Sequence, residues 1–201
     1  MLKLQYTILS PEAGCDEAGR GCLAGPVVAG AVILDPNNPI KGLNDSKKLS
    51  KKKRELLAIE IKEKALSWAI GEVDHYEIDE INILNASFLA MHRAVDALKT
   101  NPEVLLIDGN RFTPYKEVPH ECIIKGDGKV ACIAAASILA KTHRDQLMDD
   151  FDVKYPGYGW TTNAGYPTKK HRDAIKELGI TPIHRLTFQL LPKQLELFDK
   201  K

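Results

Sequence analysis

Gly14-Cys15-Asp16-Glu17-Ala18-Gly19-Arg20-Gly21 is the stretch from which the rest of the chain is read. Two adjacent carboxylates close a short apolar run, and an arginine between glycines follows at once. Neighbouring residues on a strand face opposite sides, so Asp16 and Glu17 share a site only at a bend or a strand end. Gly14, Gly19 and Gly21 supply the backbone freedom for that bend and let a second backbone approach closely. A cation between glycines beside two anions reads as a place for a phosphate held near a metal ion. The alternative is a charged hairpin turn with ordinary turn glycines, and a motif this short does not decide between them.

Outward from this stretch the pattern is that of a mixed α/β fold. Residues Pro26 to Leu34 form a β-branched run closed by Asp35-Pro36-Asn37-Asn38-Pro39, which predicts a strand hairpinned onto the one that carries Asp16. Ser50 is placed to cap a helix whose buried side is expected from Leu56, Leu57, Ile59 and Ile61. Trp68 to Val73 reads as a third strand. The apolar spacing Ile78, Ile81, Leu84, Phe88, Met91, Val95 predicts one long amphipathic helix from Glu77 to Leu98. Val104-Leu105-Leu106-Ile107 is an unbroken apolar run, as in a strand buried on both faces, and it ends at Asp108-Gly109. A short strand over Cys122 to Lys125 ends likewise at Gly126-Asp127-Gly128, and a helix rich in small residues follows from Ala131 to Met148. Pro156-Gly157-Tyr158-Gly159 marks a hinge into a C-terminal subdomain. Hairpinned strands first, then strands alternating with helices, indicate a mixed sheet flanked by helices.

Composition bounds the reading without deciding it. The 201 residues, 44% of them hydrophobic, suffice for one well-buried domain, and no apolar run approaches a membrane span. No charged-then-apolar leader opens the sequence, and Cys15, Cys22, Cys122 and Cys132 lack zinc-type C-x-x-C spacing. The expectation is a cytoplasmic protein with reduced, mostly buried thiols. A net charge of +1 argues neither for nor against a nucleic-acid partner.

Three acidic sites stand where predicted strands run out: Asp16-Glu17, Asp108 and Asp127. Ligands of open α/β sheets bind beyond the strand ends. Four carboxylates there would repel one another unless a hard cation such as Mg²⁺ or Mn²⁺ lay between them. Taken singly, Asp108-Gly109 also fits a plain turn and Asp127 a helix cap. Lys51, Lys52, Lys53 and Arg54 fall in the first turn of a helix, where the macrodipole disfavours cations. With Ser46-Lys47 they suggest a track for a phosphate backbone, although a solvated face accounts for such runs equally well. Tyr166, in a Gly/Pro-rich loop, is placed to stack on a sugar or base. The six histidines show no metal-protease pairing.

The chain resembles the type 2 ribonucleases H, the bacterial ribonuclease HII family. The resemblance is carried by 16–27 (Asp16-Glu17-Ala18-Gly19-Arg20-Gly21 through Gly25-Pro26-Val27), Asn44-Asp45-Ser46-Lys47-Lys48-Leu49-Ser50, Ile107-Asp108-Gly109-Asn110, Lys125-Gly126-Asp127, 135–141, Gly165-Tyr166-Pro167-Thr168 and His184-Arg185. It implies a five-stranded RNase H-like sheet flanked by helices (core 1–153) and a small helical C-terminal subdomain (154–191), together one catalytic domain followed by a tail, 192–201. It also implies an endoribonuclease that hydrolyses the RNA strand of RNA–DNA hybrids and cuts 5′ to single ribonucleotides in duplex DNA. Asp16, Glu17, Asp108 and Asp127 match the family's catalytic metal ligands. Gly19, Arg20 and Gly21 match its 2′-OH-sensing loop, Tyr166 its sugar-stacking tyrosine, and Ser46 and Lys47 are taken as substrate contacts. Leu186-Thr187-Phe188 departs from the family pattern by threonine for serine, which keeps the hydroxyl.

The sequence leaves two other readings open. A non-catalytic nucleic-acid-binding module would use the lysines but not four carboxylates. A phosphotransferase using 19–25 as its phosphate loop lacks the G-K-[ST] ending. In the tail, Gln194-Leu195-Glu196-Leu197-Phe198 resembles the Gln-Leu-x-Leu-Phe peptide that docks replication proteins on the bacterial sliding clamp, with Gln194, Leu195, Leu197 and Phe198 as the contacts. The protein is expected to be a monomer.

Overall fold

The computed structural model describes residues 2–191. Its five strands are β1 (Glu12–Ala18), β2 (Val27–Ile33), β3 (Ser67–Val73), β4 (Val104–Asp108) and β5 (His120–Ile123). They lie in the order β3-β2-β1-β4-β5, with β1, β2 and β3 antiparallel in turn, and β1, β4 and β5 parallel. The helices are α1 (Lys51–Lys64), α2 (His75–Ile81), α3 (Ile83–Asp96), α4 (Ala131–Lys154), α5 (Trp160–Asn163) and α6 (Lys169–Leu178).

The two faces of the sheet follow from side-chain parity. Ala13 and Cys15 of β1, with Leu105 and Ile107 of β4, pack under α3 through Ala86, Ala90, Met91 and Ala94. Val104 and Leu106 face the other way, onto Cys132 and Ile133 of α4. The apolar run of β4 is thus buried on both sides, as its composition predicts. The small residues of α4 let it lie unusually close to the sheet. A Cβ on Gly14 of β1 would fall 2.2 Å from the Cys132 carbonyl carbon, and one on Gly30 of β2 2.5 Å from the Ala136 oxygen.

Four local expectations are corrected. The helix expected from Glu77 to Leu98 is two helices, broken at Asn82 (φ +66°), whose side chain caps α3 by accepting from the Leu84 and Asn85 N–H groups. With ψ at 163° its backbone lies outside the right- and left-handed helical regions, so no helix runs through it, and asparagine competes well for orphan helix donors. Helix α1 buries Leu57, Ala58 and Ile61, while Leu56 and Ile59 are exposed; it packs on α4 along one narrow stripe. The last strand lies at His120–Ile123 rather than 122–125, because Lys125 turns into the left-handed region ahead of a 3₁₀ turn at Gly126–Gly128. Cys122 is accordingly exposed, whereas Cys15, Cys22 and Cys132 are buried. Helix α4 continues past Met148 to Lys154.

Beyond α4 the chain folds back on the segment that follows β1. Leu23, Ala24 and Met148 share one apolar cluster with Tyr158, Trp160, Ala174, Ile175 and Ile183. Within it, buried His171 accepts from Trp160 Nε1 at 3.0 Å and lies 3.3 Å from His184. Among the described residues no helix is long and apolar enough to cross a membrane.

Candidate active site

Parallel pairing brings the carboxyl ends of β1, β4 and β5 to one edge of the sheet. The register Cys15↔Ile107 sets the next residues, Asp16 and Asp108, side by side. Asp108 closes β4, and its Oδ1 accepts from the Gly126 N–H at 2.6 Å, which ties it to the 3₁₀ turn holding Asp127. Asp127 is therefore not a helix cap: α4 begins after Val130, without any side-chain cap.

The carboxylates feel one another strongly. Asp16, 6% exposed, titrates well above the usual carboxylate range because of its burial and the charges of Glu17 and Asp108, partly offset by the neighbouring Ser137 hydroxyl and by the Glu17 N–H, which donates to its Oδ1 at 2.7 Å. Glu17 is raised by burial and by Asp108, against the pull of Arg20, whose guanidinium lies 3.0 Å away. Burial, Asp108 and Asp45 raise Asp127. Asp108 thus sits electrostatically between the Asp16-Glu17 pair and Asp127. Among the described residues, however, no three His, Cys, Asp or Glu side chains are already closed around one point.

A crevice of about 200 Å³ opens over this edge, lined by Asp16, Glu17, Gly19, Arg20, Gly21, Ser46, Lys47 and Tyr166. Asp45 starts the turn that carries Ser46 and Lys47, accepting from the Lys47 N–H at 2.9 Å. Partial burial works against the Lys47 ammonium, yet Asp127, Asp16, Asp45 and Asp108 together carry its pKa up. Tyr166 is 42% exposed, with its carbonyl 3.0 Å from His171 Nδ1. The basic first turn of α1 is only partly free, since Lys51 pairs with Asp149 at 2.8 Å and Arg54 with Asp145 at 3.2 Å.

Sequence reasoning missed Ser137 and Lys141, which also line the crevice. Ser137 donates to Ser46 Oγ at 2.9 Å. It also gave no role to Arg144, or to Arg185 beyond its place in the His184-Arg185 motif; both hold the segment after β1 from beneath. Ser137, Lys141 and Arg144 recur at helical spacing in an otherwise alanine-rich stretch, a signal that one face of α4 is polar. Gln194, Leu195, Leu197 and Phe198 lie outside the described residues.

Known proteins share both the sequence and the fold of this chain. The family model described as Ribonuclease HII matches residues 13–191. The chain belongs to the ribonuclease HII family. It is 62% identical over 186 residues to ribonuclease HII of Parabacteroides distasonis, covering 92% of this chain and 94% of that one. The crystal structure of ribonuclease H2 from Pyrococcus horikoshii superposes with a TM-score of 0.74 at 29% identity, covering 89% of this chain and 94% of that one. Archaeoglobus fulgidus RNase HII, solved in complex with PCNA, gives 0.74 at 26% identity, with 92% and 98% covered. The chain is accordingly a ribonuclease H, an endoribonuclease of the RNase H2 type.

Proposed function

We propose that this chain hydrolyses the RNA strand of RNA–DNA hybrids and cuts 5′ to single ribonucleotides in duplex DNA by a divalent-metal-assisted reaction. The observation that carries this reading is the set of mutually repelling carboxylates, Asp16 and Asp127 buried and Glu17 and Asp108 half-buried, beside a crevice of about 200 Å³. Their oxygens are hard donors suited to Mg²⁺ or Mn²⁺, and the raised pKa values of Asp16, Glu17 and Asp127 mark a charge deficit that a cation corrects. Asp16, Glu17, Asp108 and Asp127 would hold such ions. Bound divalent ions would lower the pKa of an attacking water and stabilise the charge that develops on the leaving 3′-oxygen. The chain's own groups do the rest. Gly19, Arg20 and Gly21 take the ribonucleotide linkage, Lys47 and Ser46 the neighbouring phosphate, and Tyr166 stacks on the adjoining sugar. The products carry 3′-OH and 5′-phosphate ends.

A duplex with one embedded ribonucleotide tests this directly. One cut 5′ to the ribonucleotide is expected in Mg²⁺ or Mn²⁺ and none in EDTA. Retention of the duplex uncut under both conditions would identify a binding module instead.

The tail supports a second assignment. A relative is known in complex with PCNA, and Gln194, Leu195, Leu197 and Phe198 form a peptide suited to an apolar clamp pocket. Such a short segment loses ordering entropy on binding, so a roughly micromolar Kd is expected. Deleting 194–201 should abolish binding to the bacterial sliding clamp and leave hydrolysis of a short duplex unchanged. Absence of clamp binding by the intact chain would end the assignment.

A further inference from the structure

Two guanidiniums lie beneath the segment that follows β1, and neither faces a carboxylate at ion-pair distance. Arg144, 1% exposed, donates to the carbonyls of Pro26 at 3.0 Å, Ala24 at 3.1 Å and Ala164 at 2.8 Å. Arg185, 0% exposed, donates from Nε to the Gly25 carbonyl at 2.9 Å and from Nη1 to the Arg20 carbonyl at 3.0 Å. Its Nη2 is buried without a hydrogen-bond partner. Among the described residues neither arginine enters an ion pair.

The nearby acids are engaged elsewhere. Asp79 accepts from the Leu186 and Thr187 N–H groups and the Thr187 hydroxyl. Asp145 is held by Arg54 and Lys141. Buried charge is normally paired, because desolvation is otherwise uncompensated. Burial, aided by Arg144, lowers the Arg185 pKa to about 10, which still leaves it a cation at neutral pH.

The contact with Arg20 shows where that charge is directed. In a trans peptide the C=O and N–H point to opposite sides. A guanidinium on the Arg20 carbonyl therefore leaves the N–H of the same peptide, that of Gly21, facing away from Arg185. Gly21 is exposed and lines the crevice, opposite the Tyr166 ring. A cation on the carbonyl side polarises the peptide and strengthens its N–H as a donor, and backbone N–H groups in such loops bind anions.

We propose that Arg185, with Arg144 beside it, is a positioning residue whose buried charge is completed by the phosphodiester at the ribonucleotide linkage, received through the Gly21 N–H. The inference rests on the assignment of the Gly19–Gly21 loop to substrate and adds the charge behind it.

Arg185→Lys and Arg185→Gln separate charge from scaffolding, because both side chains can donate to the Arg20 or Gly25 carbonyl and only lysine is charged. Affinity is read in EDTA by fluorescence anisotropy, with a duplex carrying one ribonucleotide. The linkage 5′ to that ribonucleotide is either the native phosphodiester or an uncharged methylphosphonate. The preference of the wild type for the charged linkage should exceed that of Arg185→Gln by on the order of tenfold, as a unit charge about 10 Å from the phosphate gives at an effective dielectric of about 20. Arg185→Lys should keep most of that excess and Arg185→Gln should lose it. A preference that Arg185→Gln retains in full would overturn the inference and leave the loop assignment standing. A wild type indifferent to the charge would sink the loop assignment, and this inference with it. Failure of both variants to fold, seen by circular dichroism, would make Arg185 a staple for the loop carbonyls and overturn the proposal as well.

Discussion

Asp108→Asn is expected to abolish cleavage while the protein still folds and binds duplex. Asparagine keeps the shape of the side chain, and its Oδ1 can still accept from the Gly126 N–H, so the turn carrying Asp127 stays in place. What is lost is the one charge that couples Asp16 and Glu17 to Asp127. Removing a ligand charge from a metal-assisted hydrolysis costs on the order of 4 kcal/mol of transition-state stabilisation, or about a thousandfold in rate. A folded variant that kept a tenth of wild-type turnover in Mg²⁺ would show that Asp108 is not a ligand. Stability gives a second readout. Asp16, Glu17 and Asp127 titrate above their unfolded values, so between the ordinary carboxylate range and those raised values the native state holds more protons than the unfolded one. Stability without metal therefore falls as pH rises through that window. Asparagine at 108 removes part of the repulsion, so its metal-free stability should depend less steeply on pH.

How much of this was legible in the sequence depends on how local each cause is. The apolar run of β4 and the hairpin of β1 with β2 followed from composition and turn residues, and they placed Asp108 at the end of its strand; Asp16 and Glu17, expected at a strand end as well, lie within β1, which runs on to Ala18 against β2. The break between α2 and α3 did not follow, because the spacing through Ile78, Ile81 and Leu84 continues across Asn82 as if the helix were unbroken. Only the capping chemistry of Asn82 pointed the other way. Leu56 and Ile59 were misplaced for a related reason: periodicity marks an apolar stripe but not how wide a stripe its neighbour covers. Arg144 and Arg185 were illegible as functional residues, since their partners are backbone carbonyls. The acceptors of Arg185 lie 160 and 165 residues away in the chain, and nothing in the side chains of Arg20 or Gly25 signals that an arginine will sit beneath them. Family resemblance named the carboxylates, the glycine loop and Tyr166. It did not supply the reason the loop is held as it is.

Gly14→Ala should be the most destabilising single-methyl change in the sheet's central strand. The added Cβ would lie 2.2 Å from the Cys132 carbonyl carbon and 2.3 Å from the Ile133 nitrogen, so the obstacle is helix backbone rather than a side chain that can turn aside. Helix α4 would have to lift off the sheet where Gly14 and Gly30 hold it closest. Lifting it also withdraws Ser137 from Ser46. Overpacking of a core costs about 1–3 kcal/mol where side chains can yield. With backbone as the obstacle, a loss of about 3 kcal/mol or more is expected, a large share of the roughly 5–15 kcal/mol that holds a domain together. Denaturant unfolding should show a clearly lower midpoint for Gly14→Ala. Gly128→Ala, whose added methyl meets nothing within 4 Å, should stay close to wild type. Adding Cys132→Ala to Gly14→Ala should not rescue it, because the clashing atoms belong to the main chain. Equal midpoints for Gly14→Ala and Gly128→Ala would mean that α4 does not lie against β1 at this distance.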